Sequence, residues 1–264
     1  MKKIKRRDVW IDADHIIFLA IHSNKISNDD GFEDEDNGFE DEGNKKVSLK
    51  PYKVIVKTII QDYIETAQVE NVVMGFKTGA IHVVFSAANN FRYGLFKDYK
   101  KGRPEKSDAH KRLLKWAMKK YIVVDRLEAD DVVSYYASKG HIGISTDKDV
   151  LYSTAGTFYD SHHLHKHWIY TSKKDANRFI LIQNLMGDLT DNIVGIKRVG
   201  EKTAVKLLNE FGWNWEGVVK AYESKGLSVE DAILTRRLIS MNQWSPKKGL
   251  ILWYNAHSLN NHSI

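Results

Sequence analysis

Acidic residues recur where short apolar runs end, and that placement is the first sign of chemistry in the chain. Asp12 closes the run DVWI; Glu128, Asp130 and Asp131 follow YIVVD; Asp147 and Asp149 follow HIGIST. If the runs are neighbouring strands of an open parallel sheet, these six carboxylates converge in the crevice at its carboxyl edge. Asp188 and Asp191, in MGDLTDN, add a pair that shares a face if the segment is helical. So many like charges in one cleft repel by several kcal/mol unless something neutralises them. Hard divalent cations do so, and Mg²⁺ or Mn²⁺ prefers oxygen ligands. Two such ions ~4 Å apart can activate water against a phosphodiester and stabilise the leaving oxygen. Taken singly, each acid reads as a helix cap or surface residue. Taken as sets at strand ends, they read as metal ligands.

A second constellation is the stretch GIKRVGEKTAVKLLNEFG at 195–212. Gly195 and Gly200 flank a tight turn, and Lys202, Thr203 and Ala204 open an amphipathic helix that stops at Gly212. Small residues let the backbone approach a phosphate, and amide groups at a helix N-terminus meet its charge. Lys197, Arg198, Lys202 and Lys206 add attraction. Such a hairpin binds duplex backbone without reading bases. The plainer reading is a packing joint between two helices.

The elements that position these residues emerge from periodicity. DVWI (8–11) reads as a strand, HIIFLAIHSN as a buried helix, and 51–70 as a long amphipathic helix opened by Pro51. NVVMGF (71–76) and IHVVFS (81–86) read as strands separated by the turn Lys77-Thr78-Gly79. A basic stretch runs from Asn89 to Arg112 and includes Arg92. YIVVD, the helix 127–140 and HIGIST complete an alternation of strand and helix, which argues for an α/β domain with a largely parallel sheet. Helices dominate from about 176, at 177–187 and 200–211. The expected division is an α/β domain over 1–185 and a helical DNA-binding region over 186–264.

Composition bounds the function. The 264 residues are 42% hydrophobic and 11% aromatic, enough for a proper core. No cysteine is present, which excludes disulfides, thiolate zinc sites and cysteine nucleophiles. No apolar run approaches the ~20 residues of a membrane span, and charged residues interrupt the stretch after MKKIKRR, so neither a membrane anchor nor a signal peptide is expected. Residues 29–43 hold nine acids and no Lys or Arg, and read as a disordered insert. Outside it, 40 basic residues face 25 acidic ones, a balance of +15 that suits a polyanionic partner such as nucleic acid. The histidines of SHHLHKHW (His162, His163, His165, His167) have a spacing that could bind zinc, but a surface loop or strand is the better reading. Trp213 and Trp215 read as packing residues.

Several of these pieces, in this order, resemble one family. MGDLTDNIVGIKRVGEKTAVKLLNEFG is similar to the Asp-x-x-Asp and helix–three-turn–helix signature of the 5′ nuclease superfamily. That superfamily includes phage flap endonucleases and 5′→3′ exonucleases, phage ribonuclease H and the 5′ nuclease domain of bacterial DNA polymerase I. WIDADH resembles its first metal-binding strand, LEADD and STDKD its central acidic motifs, and FKDYKKGRP its gateway element. The resemblance runs from about residue 8 to 240 with the acidic insert unmatched. It implies a 5′ nuclease or PIN-like α/β fold plus a C-terminal helix–three-turn–helix unit. It places Asp12, Glu128, Asp130 and Asp131 around a first Mg²⁺ (or Mn²⁺), and Asp149, Asp188 and Asp191 around a second, with Asp147 between. Lys100 and Arg103 would contact the scissile phosphate. Arg92 and the hairpin residues Gly195, Lys197, Arg198, Gly200, Lys202, Thr203 and Lys206 would contact DNA, with K⁺ at the hairpin carbonyls.

The resemblance also implies a cytoplasmic monomer acting in replication or repair on DNA 5′ ends, flaps or nicks, and on RNA–DNA hybrids at primers. One departure stands out. The family's second strand ends in an Asp, whereas this chain has Ser86-Ala87-Ala88 there. Asp14 is the candidate to compensate. The same departure keeps open a catalytically degenerate, branched-DNA-binding accessory protein, and a toxin-like RNA-cleaving nuclease is the third reading.

Overall fold

The computed structural model describes residues 5–23, 39–40, 46–162, 166–241 and 243–253. Two compact units emerge, and neither is a single run of chain. The first comprises 1–88, 104–146 and 156–169; the second comprises 89–103, 147–155 and 170–264. The expected single boundary at 185/186 is therefore corrected. The long C-terminal part of the second unit starts near Tyr170, and two earlier excursions of the chain join it. Contacts within a helical unit decide this, and no change of composition at one point announces it.

The first unit is built on six strands: β1 (Arg6–Asp12), β2 (Lys77–Phe85), β3 (Ile122–Val123), β4 (Ile142–Ser145), β5 (Gly156–Asp160) and β6 (His167–Thr171), whose last two residues count with the second unit. Their order across the sheet is β3-β2-β1-β4-β5-β6. The pairs β1–β2, β1–β4, β2–β3 and β4–β5 are parallel. The expected α/β architecture with a largely parallel sheet is thus present. The order reverses between β1 and β4, so the crevice of this sheet lies outside the ends of those two strands. β1 ends at Asp12 and β4 at Ser145.

Helices α1 (Asp14–His22), α2 (Lys50–Val73), α4 (Asp108–Lys120) and α5 (Ala129–Ser138) flank the sheet. One core joins Val9 and Ile11 of β1, Ile16 and Ile17 of α1, Val56 and Ile60 of α2, Leu113 of α4, and Ile142 and Ile144 of β4. Two expectations fail here for one reason. NVVMGF is not a strand, because α2 runs on to Val73, and Lys77-Thr78-Gly79 is not a turn but the start of β2. Val72 and Val73 are exposed, so this apolar run marks an uncovered helix end, not a buried strand.

The second unit holds α3 (Arg92–Leu95), α6 (Lys148–Ser153), α7 (Lys173–Met186), α8 (Glu201–Phe211), α9 (Trp215–Glu223) and α10 (Val229–Ile239). Leu185, Ala204, Leu208, Val218 and Ala221 form its centre. Trp213 and Trp215 pack against it as expected; Arg178 lies 3.7 Å from the Trp213 ring and Trp215 tilts against Trp253. Residues 244–245 and 249–250 close a short antiparallel hairpin. Most of the acidic insert 29–43 lies outside the described residues; Phe39–Glu40 pair with Lys46–Val47. His163 and His165 also lie outside them.

Candidate active site and nucleic-acid interface

In the first unit, burial and hydrogen bonding gather acids at the end of β1. Asp12 accepts the Ser145 hydroxyl at 2.8 Å and the Asp14 amide at 3.2 Å. Burial, and then the neighbouring charge of Asp14, push its carboxyl up to about 7. Glu128 and Asp131 are buried, and they form a capping box at the start of α5, where the Glu128 amide donates to Asp131 Oδ2 at 3.2 Å. The cap reading of single acids therefore holds for both, although a carboxylate has lone pairs left for a cation. The Asp130 side chain is close enough to Asp12 to influence its carboxyl.

The missing carboxylate at the end of β2 has a structural counterpart. The Ser86 amide donates to Asp14 Oδ1 at 3.1 Å, and Ser86 Oγ accepts the Ala129 amide at 2.9 Å. Ser86 thus ties the end of β2 to the start of α5, and the Asp14 carboxylate reaches the same spot from α1.

In the second unit a different set forms around Asp149. Asp147 is the N-cap of α6 and accepts the Asp149 amide at 2.8 Å. Burial, then the charges of Asp147 and Asp188, push the Asp149 carboxyl up to about 8. Asp149 Oδ1 is buried without a hydrogen-bond partner among the described residues. Asp147 is raised as well, by burial and by Asp191 and Asp188. Asp188 and Asp191 are not on a helix as their spacing suggests. Residues 187–188 pair antiparallel with 193–194, so Asp188 ends one short strand and Asp191 lies in the turn that follows, with the Thr190 amide on Asp188 Oδ1 at 2.8 Å.

Lys100 and Arg103 converge on one of these acids. Lys100 Nζ lies 3.7 Å from Asp191 Oδ2, Arg103 pairs with Asp191 Oδ1, and the Tyr99 hydroxyl donates to Asp191 Oδ2 at 2.9 Å. The Lys100 amide also donates to the Asp191 carbonyl at 2.8 Å, and Lys100 takes a positive φ of 58°. Residue pattern alone does not single out Tyr99 or Ser145, although both lie inside the motifs quoted for the family. A hydroxyl beside a carboxylate at a strand or turn end is the signal that could have found them.

The six acids expected at strand ends fall in both units. The acids stand in two sets, one in each unit, and among the described residues no three acid or histidine side chains close in on a common point as ion ligands. Mg²⁺ nevertheless fits the set around Asp149, since it takes one or two carboxylates and keeps several waters. The orphaned, buried Asp149 oxygen and the raised carboxyls are what a cation would relieve. Asp147 and Asp149 would hold it, with Asp188 beside them.

The hairpin is formed by α7, the turn through 195–200 and α8. Ile196 and Val199 are buried, while Lys197, Arg198, Gly200, Lys202, Thr203 and Lys206 are exposed. No side chain caps α8, whose first amides stay open. The two glycines serve different ends. A Cβ on Gly195 would meet the Gly187 amide nitrogen at 2.4 Å and the Leu185 carbonyl oxygen at 2.5 Å, so Gly195 is small because its own chain packs there, not because a phosphate approaches. A Cβ on Gly200 would meet nothing within 4 Å. Urea titration should therefore find Gly195→Ala destabilised by ~2–4 kcal/mol, and Gly200→Ala within ~1 kcal/mol of the parent.

Arg92 is the clear correction among the expected DNA contacts. Its side chain is fully buried, with Nε donating to the Leu238 carbonyl at 2.8 Å and Nη2 to the Ser240 carbonyl at 3.0 Å. It satisfies the carbonyls that end α10 and anchors α3, because a guanidinium fork suits helix-end carbonyls.

Comparison with known proteins adds likeness in sequence and in fold. A family profile described as "5'-3' exonuclease, C-terminal SAM fold" matches residues 175–244. The 5'-3' exonuclease of Buchnera aphidicola is 33% identical over 174 residues, 58% of this chain and 60% of that protein. DNA polymerase I of Bacillus subtilis is 32% identical over 171 residues, 54% of this chain and 18% of the polymerase. The chain therefore spans less than two thirds of these relatives. The D15 protein of bacteriophage T5, crystallised with metal ions, superposes with a TM-score of 0.60 at 17% identity, over 90% of each chain. In sequence the chain is thus similar to 5'-3' exonucleases and to DNA polymerase I over part of their length, and in fold it is similar to the T5 D15 protein.

Proposed function

We propose that the protein is a metal-dependent, structure-specific 5′ nuclease that hydrolyses phosphodiesters near DNA 5′ ends, flaps or nicks. The observation that carries this reading is the pairing, within one unit, of Asp149, buried with one carboxylate oxygen unpartnered and raised by the charges of Asp147 and Asp188, with two cations held on Asp191. Acids that a divalent metal would neutralise, beside two cations that could pass from Asp191 to a phosphate, suit a phosphate and a metal together. Solved relatives of the same fold support it: one T5 flap endonuclease structure holds DNA and metal ions, and a T5 5'-exonuclease structure holds zinc.

Bound Mg²⁺ or Mn²⁺ would supply a lowered water pKa and positive charge at the phosphate. The chain's own residues do the rest. Lys100 and Arg103 take the non-bridging oxygens of the scissile phosphate and offset charge as it builds. Lys197, Arg198, Lys202, Thr203, Lys206 and the open amides at Gly200 hold the duplex backbone, with K⁺ at the turn carbonyls. Water adds in line to phosphorus and the bond to the 3′ oxygen breaks, leaving a 5′-phosphate and a 3′-hydroxyl. In the first unit Asp12, Glu128, Asp130 and Asp131 form the other metal-facing set, with Asp14 standing in at Ser86. The same reading makes the protein a cytoplasmic monomer that also trims RNA-primed strands. No helix among the described residues is long and apolar enough to cross a membrane.

The test uses a 5′-flap duplex and a nicked duplex, labelled at either end, with Mg²⁺ or chelator and with an Asp149→Asn control. Metal-dependent cleavage lost in the control is the expected result. Tight binding of both substrates with no product in Mg²⁺ or Mn²⁺ would replace this reading with the accessory protein.

A further inference from the structure

One aromatic side chain beside the two phosphate-facing cations has no part in the proposed reaction. Tyr93 is 45% exposed, although the residues on its N-terminal side are among the most buried in the second unit. Phe91 is 4% exposed, and Arg92 is fully buried with its guanidinium fixed on the carbonyls of Leu238 and Ser240. The single turn α3 is further closed by the Arg92 amide on Asn90 Oδ1 at 2.9 Å. Tyr93 is therefore projected into solvent from a rigid root.

Its ring is held as well. Tyr93 lies edge-to-face on Tyr99, with centroids 5.4 Å apart and planes at 69°, and Tyr99 in turn binds Asp191, the shared partner of Lys100 and Arg103. Gly94, the next residue, leaves open space where a side chain would begin. From 97 to 103 the chain carries Lys97, Lys100, Lys101 and Arg103 against Asp98 alone. A fixed, half-exposed ring just ahead of a cation-rich stretch suits single-stranded nucleic acid, since every base has a stacking face.

We propose that Tyr93 is a stacking platform for an unpaired nucleobase of the substrate, next to the phosphate gripped by Lys100 and Arg103. The inference rests on the 5′ nuclease reading and adds to it a site that recognises unpaired bases. Tyr93 acts here as a positioning residue, contributing to the placement of the strand.

Duplexes with a three-nucleotide 5′ overhang, natural or carrying an abasic unit at each overhang position in turn, separate the platform from the nuclease reading. Affinity is measured with Ca²⁺ in place of Mg²⁺. For the parent protein, one abasic position should weaken binding roughly 5- to 100-fold. Tyr93→Phe should keep that discrimination. Tyr93→Ala, and Tyr93→Leu as a variant that keeps a side chain packed on Tyr99, should bind the natural overhang as weakly as the parent binds the abasic one, with no further loss on abasic DNA. Tyr93→Ala and Tyr93→Leu that discriminate as the parent does would overturn the stacking role while leaving the nuclease reading intact. A parent protein that binds no overhang duplex would defeat that reading itself, and the platform with it.

Discussion

Arg103→Ala is expected to cut turnover on a 5′-flap duplex by on the order of 10²–10³, with duplex affinity changed less than about threefold. The size reflects the removal of one preorganised cation from a phosphoryl-transfer site. The small effect on affinity reflects the division of labour proposed for the second unit, where the exposed cations Lys197, Arg198, Lys202 and Lys206 would supply most backbone contacts. Lys100→Ala should behave alike, because both cations share Asp191. Arg103→Lys should recover only part of the loss, since a lysine ammonium lacks the planar fork that matches phosphate oxygens. Single-turnover cleavage and binding in Ca²⁺ check the split. An Arg103→Ala enzyme with unchanged turnover, or one that loses affinity and turnover equally, would remove Arg103 from the site.

The second large effect is on stability, and its sign is set by protons. The Asp12 and Asp149 carboxyls titrate in the folded protein at about 7 and about 8, above the ordinary value of 3.8. The folded state therefore holds protons that the unfolded chain has lost, and the stability they represent is lost as pH rises through those values. His15 acts in the opposite sense. Burial lowers its pKa to about 4, so its contribution is lost as pH falls below about 6.5.

The window in which the two carboxyls dominate is therefore pH 6.5–9. In chelator, stability should fall across it by roughly 2–3 kcal/mol, or about 5–10 °C in Tm. Mg²⁺ should restore most of the loss at pH 9, because a cation takes over the role of the proton. Asp149→Asn should be more stable than the parent in chelator at pH 9 and should gain less from Mg²⁺. A chelator-treated parent whose Tm rises from pH 6.5 to 9 would contradict the assignment of either acid as a buried, cation-seeking group.

Much of this site was legible because strand ends and turns are written locally. Asp12 and Asp149 each come after a short apolar run, and such runs become parallel strands whose carboxyl ends gather ligands. The turn at 195–200 and helix α8 were equally plain, because alternating small, basic and apolar residues fix a turn and an amphipathic helix within a dozen positions. Where local pattern misled, a long-range partner had decided. Val72 and Val73 continue the α2 helix although their run looks like a strand, and Arg92 turns inward because the carbonyls ending α10, nearly 150 residues away, need donors.

The sequence by itself determined the chemistry available here: paired carboxylates at strand ends, a basic gateway stretch, a glycine-punctuated hairpin and no thiol. Those properties depend on residue type and short spacing, which the chain carries whatever its fold. Tertiary structure alone decided which acids share a cluster, that Asp14 reaches the amide of Ser86, that Lys100 and Arg103 both turn on Asp191, and that Gly195 is small for the sake of Gly187. Each of these depends on burial and on contacts between distant segments. A side chain's charge, partner and exposure are fixed only when those segments meet.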